Sequence, residues 1–534
     1  MRKRIYLLLL TLCLGLFGCG QREVEQEDFT AAGEAGEVKE TEDMLTLSMR
    51  IPETLNPLLN RDETVDRILK LIYLPLLDFD DAGRAYPAIG ESWTFGEDGK
   101  TLTMQLRNDI LWQNGGKLTA ADVVYSFRTI QNAPEASVYQ SVLRYVADCT
   151  QMGENTVIFT FHESFSDNLS ALRFPIISEN YYKGNHDPAA EVNQTPMGNG
   201  AYAQHTHQQA SELILYASET YGGEQPQIAR IRVKITAGED TDIHAFERGM
   251  TDVLVTDAME AGRYADEGVS GMYQYASNAY DFIGFNFRKE MFQDKALRQA
   301  VAYALPKESL MESVYLHYGE MTNTPIHPKS WLYEENVAQY DHNPSMASTF
   351  LKNSGWTDED GNGILEKEMD GQTRPLKAVI LFNQENTGRK QIASRLKEEL
   401  TAIGFDITLD QQPFAVYQQK FMEGNYDIVI GGWDCSEITD LTPFFGTAGS
   451  LNYIGYTDAE VDQLLLAARS AVGEGATLLA YSSLQKKLAE ELPYISIAYR
   501  NEAVFVSKNV GGTISPTAFN VFRGIENWTY EKGE

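Results

Sequence analysis

The sequence is poor in several things, and each shortage removes a class of explanation. Only four cysteines occur in 534 residues, and two of them, Cys13 and Cys19, stand in the first twenty positions. No disulfide framework can hold such a chain; Cys149 and Cys435 could pair, but they read first as buried thiols. Basic side chains number 44 against 76 acids, a formal charge of -32. A nucleic-acid partner needs a basic stripe that displaces counterions, so none is expected. No run of the body reaches the roughly 18 apolar residues of a membrane span. Motifs of catalysis are missing as well. There is no Gly-x-Ser-x-Gly elbow, and His162-Glu163 has no second His at the zincin spacing. Gly198-Asn-Gly200-Ala-Tyr-Ala203 follows Pro196 without a buried strand before it, so it reads as a turn rather than a dinucleotide loop. Neither a cofactor nor a catalytic residue is expected.

What is present is globular. Apolar residues make up 43% of the chain, and the length suggests about three to five compact units. The first nineteen residues have the grammar of a secretory signal, with Arg2, Lys3 and Arg4 before the apolar stretch Ile5 to Leu14. It ends in Leu16-Phe17-Gly18-Cys19, which resembles a bacterial lipobox, where the cysteine is diacylated and becomes the first residue of the mature chain. Residues 20–43 then carry nine acids and two bases. Such a segment cannot pack and should act as a solvated tether. Together these features predict a body held by Cys19 on the outer face of the cytoplasmic membrane.

From Met44 onward, both hydrophobic periods occur. Val65, Ile68, Leu69, Ile72, Tyr73 and Leu76 form a helical stripe, while Leu102, Met104 and Leu106 alternate as in a strand. Capping-box spacings at Thr119–Asp122 and Thr457–Glu460 predict helix starts. The region from Lys377 to Trp433 is the most informative. It reads as strand Ala378–Phe382, helix Arg389–Ala402, strand Phe405–Leu409, a helix around Tyr417–Met422 and a short strand Ile428–Ile430. That order predicts a parallel α/β sheet, in which ligands sit beyond the carboxyl ends of the strands. Gly431-Gly432-Trp433 follows the last strand and suits a binding wall.

Several segments, read in order, resemble the family 5 extracellular solute-binding proteins of ABC importers. They are Leu55-Asn56-Pro57, Ile72-Tyr73-Leu74-Pro75-Leu76, Pro87-Ala-Ile-Gly-Glu-Ser-Trp93 with GEDGKTLTMQLRNDILWQNGGKLTAADVVYSF, PMGNGAYA from Pro196, FIGFNF from Phe282, LRQAVAYAL from Leu297, and GGW from Gly431. The resemblance implies an α/β, two-lobed periplasmic-binding-protein-like clamshell with an extra domain inserted in the first lobe. Residues 1–18 would be the signal and 19–43 the tether. Lobe I would combine 44–57, 195–280 and 500–534, with the extra domain at 58–194 and lobe II at 281–499. The implied partners are a peptide or other small solute and the subunits of a membrane permease, and the protein itself would be monomeric.

In peptide-binding relatives the ligand makes strand-like main-chain bonds between the lobes. The positions expected to supply them are Gly432 to Cys435 and the loop Asn60 to Thr64, with Asn60, Arg61, Asp62 and Glu63 as its contacts, and Trp433 as the wall of a side-chain pocket. Tyr280 and Asn286, at the FIGFNF segment, complete the expected contact set. Peptide binders place an aspartate three residues after this Trp to pair with the ligand ammonium, whereas this chain has Ser436, flanked by Asp434, Glu437 and Asp440. Either a neighbouring carboxylate takes over, or the solute is an oligosaccharide or metal chelate. A tethered hydrolase and a signalling receptor are the remaining alternatives. Asp358, Asp360 and Asn362 occupy the first, third and fifth places of a calcium loop, but its twelfth place is Met369, so the segment reads first as a polar turn.

Cys19 is expected to be the only covalent anchor. A Cys19→Ser protein should be released in soluble form, measured by fractionation after a high-salt wash; retention on the membrane would contradict the lipobox.

Overall fold

In the computed structural model, the protein is described for residues 44–134, 136–208, 211–257, 270–369, 371–434 and 439–531. The signal, Cys19 and the tether lie outside these residues, as do Cys435, Ser436 and Glu437. The fold is α/β and two-lobed, with an extra domain in the first lobe. No helix among the described residues is long and apolar enough to cross a membrane.

Three sheets carry the architecture. In the first lobe, Leu45–Met49 runs parallel to Arg230–Ile235, which continues through Glu212–Ala217 to Tyr202–Gln208 in antiparallel order. The extra domain holds a four-stranded antiparallel sheet, Gly90–Phe95, Thr101–Leu106, Thr156–Phe161 and Val146–Gln151. The alternation of Leu102, Met104 and Leu106 buries all three. Against this sheet packs the helix Ala120–Gln131, which buries Val123, Phe127 and Ile130. Asp122 accepts a hydrogen bond from the Thr119 amide at 2.8 Å, as the capping-box spacing implied. One continuous apolar core serves both units, from Leu45 to Trp528.

The third sheet has seven strands, six in the order Val253–Asp257, Tyr494–Ser507, Ser270–Phe285, Ile428–Asp434, Lys377–Asn383 and Asp406–Gln412. The predicted βαβ unit is present: Lys377–Asn383 pairs in parallel with both Asp406–Gln412 and Ile428–Asp434. Helices Thr387–Ala402 and Phe414–Glu423 make the crossovers. Two expectations are corrected. Gly431, Gly432 and Trp433 do not follow the strand but lie within it, because the antiparallel partner Ser270–Phe285 extends beyond the parallel one and pairs Phe282, Asp281 and Tyr280 with them. The helix expected to be capped by Thr457 is capped by Asp458, whose carboxylate accepts from the amides of Glu460 and Val461 at 2.8 and 3.2 Å. A carboxylate one residue closer to the helix displaces the hydroxyl.

Ser270–Phe285 and Tyr494–Ser507 are the two long strands, and they run from one apolar core into the other. Tyr275, Val504 and Val506 belong to the first-lobe core, Ile283, Phe285, Ile495 and Ile497 to the second. Their ladder breaks in between: Ala276 pairs with Asn501 and Tyr280 with Tyr499, four steps along one strand against two along the other. Ser277, Asn278 and Ala279 bulge at that point. Cys149 is a buried free thiol as expected, and burial pushes its pKa up to about 12.

The glycines of the PMGNGAYA segment permit a close approach of two backbones. The amides of Asn199 and Gly200 donate to the Ile72 carbonyl at 3.1 and 2.7 Å. A Cβ on Gly198 would stand 2.0 Å from that oxygen, and one on Gly200 2.8 Å from it. Gly198→Ala should therefore cost about 2–4 kcal/mol, because backbone rather than a side chain must give way. Gly475, in a helix with nothing within 4 Å, is the contrast: Gly475→Ala should be neutral or stabilise by up to about 1 kcal/mol. Urea denaturation of both variants checks the pair.

Candidate functional site

A cavity of about 640 Å³ opens where the long strands cross. Its floor is Tyr275, Ser277, Asn278 and Ala279. Helix Glu63–Leu69, the aromatic rings of Tyr86, Tyr139 and Tyr221, and the segment 518–526 form its first-lobe walls, and Asp434 comes from the second lobe. A smaller pocket of about 180 Å³ shares Tyr275, Asn278, Ala518 and Phe519 with it, so the two are chambers of one cleft. Most charges of the main chamber are neutralised within the protein. Tyr86 donates to Asp78 at 2.7 Å, Lys70 lies 2.9 Å from Asp66, Arg523 pairs with Asp81 at 2.7 Å, and the Tyr275 hydroxyl donates to Glu502. Burial and the Glu502 charge hold the Tyr275 hydroxyl far above its ordinary range, so it remains a donor at any physiological pH. Among the described residues, Glu63, Arg67 and Asp434 make no hydrogen bond or ion pair with their side chains. They are charges presented to whatever fills the cleft.

A two-lobed body with such a cleft matches known proteins. The family model of bacterial extracellular solute-binding proteins, family 5 (middle part), covers residues 84–453. The chain belongs to this family. The oligopeptide-binding protein AppA of Bacillus subtilis (strain 168) is 24% identical over 98% of this chain and 98% of its own length. The nickel-binding periplasmic protein of Escherichia coli (strain K12) is 24% identical over 67% of this chain and 69% of its own. Among solved structures, the periplasmic murein tripeptide-binding protein MppA, in an unliganded open form, superposes with a TM-score of 0.78 at 16% identity, over 92% of this chain and 98% of that one. Each is named for what it binds, not for a reaction.

The cleft of this family 5 protein draws together only part of the residues expected from its sequence. Glu63 and Asp434 line the main chamber and Asp440 the smaller one. Asp440 is buried and accepts from the Thr442 amide at 2.9 Å, with Arg469 at 3.8 Å. The others serve the fold. Asn60 turns back on Asp62, its amide donating to the Asp62 carbonyl at 2.7 Å, and Asp62 caps the helix at Thr64 and Val65. Arg61 points away to Glu53 at 3.3 Å. Asn286 is buried and donates to the carbonyls of Gly424 and Tyr426, both at 2.8 Å, while the Tyr280 hydroxyl meets Ser496 at 2.7 Å. A Cβ on Gly432 would come within 2.4 Å of Arg389 and 2.6 Å of Asp281, so this glycine makes room for an ion pair. Trp433 lines neither chamber. It sits behind Phe444, which does, within an aromatic cluster that includes Phe282, Phe421 and Tyr453.

The calcium-like turn lies outside the cleft. Asp358 and Asp360 come within 4.8 Å of Glu366 rather than being completed by Asn362, whose side chain is bonded to Asp360 and to the Ile364 amide. Arg67, Tyr275, Glu502 and Trp331 were not anticipated. Arg67 lay inside an apolar helical stripe, and the others have no local pattern that marks a cleft.

His327, in the smaller chamber, is held neutral. The Lys329 amide donates to its Nδ1 at 3.0 Å, which leaves the proton on Nε2, and burial lowers its pKa to about 4. The unfolded imidazole titrates near 6.5. Its contribution to stability is therefore complete above about pH 6.5 and is lost as pH falls towards 4. His327→Gln should remove about 2–3 kcal/mol of that pH dependence. Denaturation midpoints at pH 7 and pH 4.5 measure it; parallel losses in both proteins would contradict a neutral imidazole.

Proposed function

We propose that this chain is the substrate-binding lipoprotein of an ABC importer, which captures peptides outside the cell by hinge closure and delivers them to a membrane permease. The observation that carries the reading is a pair of opposite charges in one chamber with no protein partner among the described residues, Arg67 on the first-lobe side and Asp434 on the second. A zwitterionic main chain supplies the complement of each: an ammonium for Asp434 and a carboxylate for Arg67. A charge that enters a closed, poorly hydrated cleft without a partner suffers a large desolvation cost, so such complementarity decides which solutes bind. The volume of about 640 Å³ falls within the roughly 300–1,000 Å³ of small-ligand sites. The bulge at Ser277–Ala279, on the strands that run from one core into the other, is the natural place for the closing motion. Glu437 is the second candidate for the ammonium, by its position beside Ser436. Catalysis has no part in this reading, and the anchor is Cys19.

Calorimetry with a free and an N-acetylated pentapeptide tests the assignment. Acetylation should cost the wild type about 2–5 kcal/mol and should cost little in whichever of Asp434→Asn or Glu437→Gln removes the ammonium partner. Saturation should also reduce the radius of gyration in small-angle scattering. Equal binding of both peptides, no binding of either, or accumulating cleavage products would overturn the peptide reading and bring an oligosaccharide or metal chelate forward.

A further inference from the structure

The smaller chamber is bounded on one side by the bulge residue Asn278 and on the other by Ala82, Asp167, Trp331 and Thr439. That far side is a contact between the extra-domain end of the first lobe and the second lobe, and three separate stretches of the first lobe take part in it. In the turn between strands Leu77–Phe79 and Ala85–Pro87, the Ala82 carbonyl accepts from the Trp331 amide at 3.0 Å. Arg84 of the same turn pairs with Glu474 at 2.7 Å and lies over the Trp331 ring at 5.2 Å. Gly99, between strands Gly90–Phe95 and Thr101–Leu106, comes so close that a Cβ there would stand 2.9 Å from Val472. After strand Thr156–Phe161, Glu163 pairs with Arg469, the Ser166 amide donates to the Arg469 carbonyl at 2.7 Å, and Asp167 accepts from the Thr439 amide at 3.2 Å.

The receiving element has an unusual charge pattern. Helices Ala459–Ser470 and Glu474–Glu491 form a hairpin in the second lobe. From Gln463 to Gln485 only Arg469 and Glu474 are charged, although 22% of the chain is. Charges placed for solubility alone would point to water. Instead both stand at the bend of the hairpin, and each meets an opposite charge from the first lobe, Glu163 and Arg84. Arg469 also lies over the Phe165 ring at 5.9 Å and 3.8 Å from Asp440, so it is the centre of the contact. The lobes are thus joined twice. The long strands run through both cores, whereas the contact at the hairpin is noncovalent and must break if the lobes part at this end. Exposed ion pairs contribute little singly. Two of them, with two backbone hydrogen bonds, suffice to bias an equilibrium between states of similar free energy.

We propose that the extra-domain end of the first lobe is a clasp: it grips the helical hairpin of the second lobe and holds one end of the cleft shut before any solute arrives, with Arg469 as the residue on which the grip depends. The inference rests on the proposed function only for the opening and closing of the lobes. A solute then meets a cleft already shaped at one end, and less of its binding free energy is consumed by closure.

Hydrogen–deuterium exchange of the full chain without added solute tests the clasp at two reporter amides, those of Trp331 and Ser166, whose acceptors lie across the contact. Both should exchange about tenfold or more slowly than unprotected amides. Arg469→Glu, which sets a third carboxylate beside Glu163 and Asp440, should remove that protection and raise the radius of gyration in small-angle scattering. Adding Glu163→Arg to the same chain should restore both. Unprotected reporters in the wild type, or protection and radius unchanged in Arg469→Glu, would overturn the clasp, and a loss that Glu163→Arg does not restore would remove Arg469 from its centre. Should Arg469→Glu fail to fold, Arg84→Glu at its exposed position decides: lost protection at Trp331 supports the clasp, and retained protection overturns it. If no peptide binds in calorimetry, the peptide reading fails by itself, while the exchange measurement, made without solute, still decides the clasp.

Discussion

The antiparallel pairing of Ser270–Phe285 with Tyr494–Ser507 is the constraint on which the rest of the molecule depends. These strands are the central rails of the seven-stranded sheet, and each contributes side chains to both lobes' cores. Backbone hydrogen bonds fix the register on either side, so each lobe is stiff up to its own end of the ladder. Between Ala276 and Tyr280 the register is lost. The residues left out of the ladder there, Ser277 to Ala279, are the floor of the cleft.

The charge organisation follows from the same geometry. With a surplus of acids over bases across the chain, most carboxylates facing the cleft are taken up by hydroxyls, lysines or arginines of their own lobe. Those left over among the described residues, Glu63 and Asp434, stand with Arg67 at the main chamber.

Some glycines and aromatics that look like binding motifs are structural devices. Gly198 and Gly200 allow a loop to lie on the backbone of Ile72, and Gly432 leaves space for Arg389 beside Asp281. Trp433, partly buried, packs its ring against Phe444. A motif conspicuous in sequence is conspicuous because its residues are unusual, and close packing demands unusual residues as often as ligands do.

How much could be read without coordinates depended on the range of the interactions involved. The helix starting after Thr119, the alternating strand at Leu102–Leu106 and the βαβ unit from Lys377 are written in local periodicity and capping chemistry, and all were legible. Family membership was legible too, from short segments in a fixed order. The extension of the Ile428 strand through Trp433 was not, because the partner that pairs with it lies some 150 residues earlier. Nor was the roster of cleft residues: Asn60, Asp62 and Asn286 look like ligand groups until their hydrogen bonds to the backbone are seen, and Tyr275 and Glu502 are unremarkable until a register 227 residues apart sets them side by side. Local sequence determined the elements and the lineage. Which polar groups remain unsatisfied, and so available to a solute, was decided only in three dimensions, since satisfaction is a property of neighbours that the chain brings from far away.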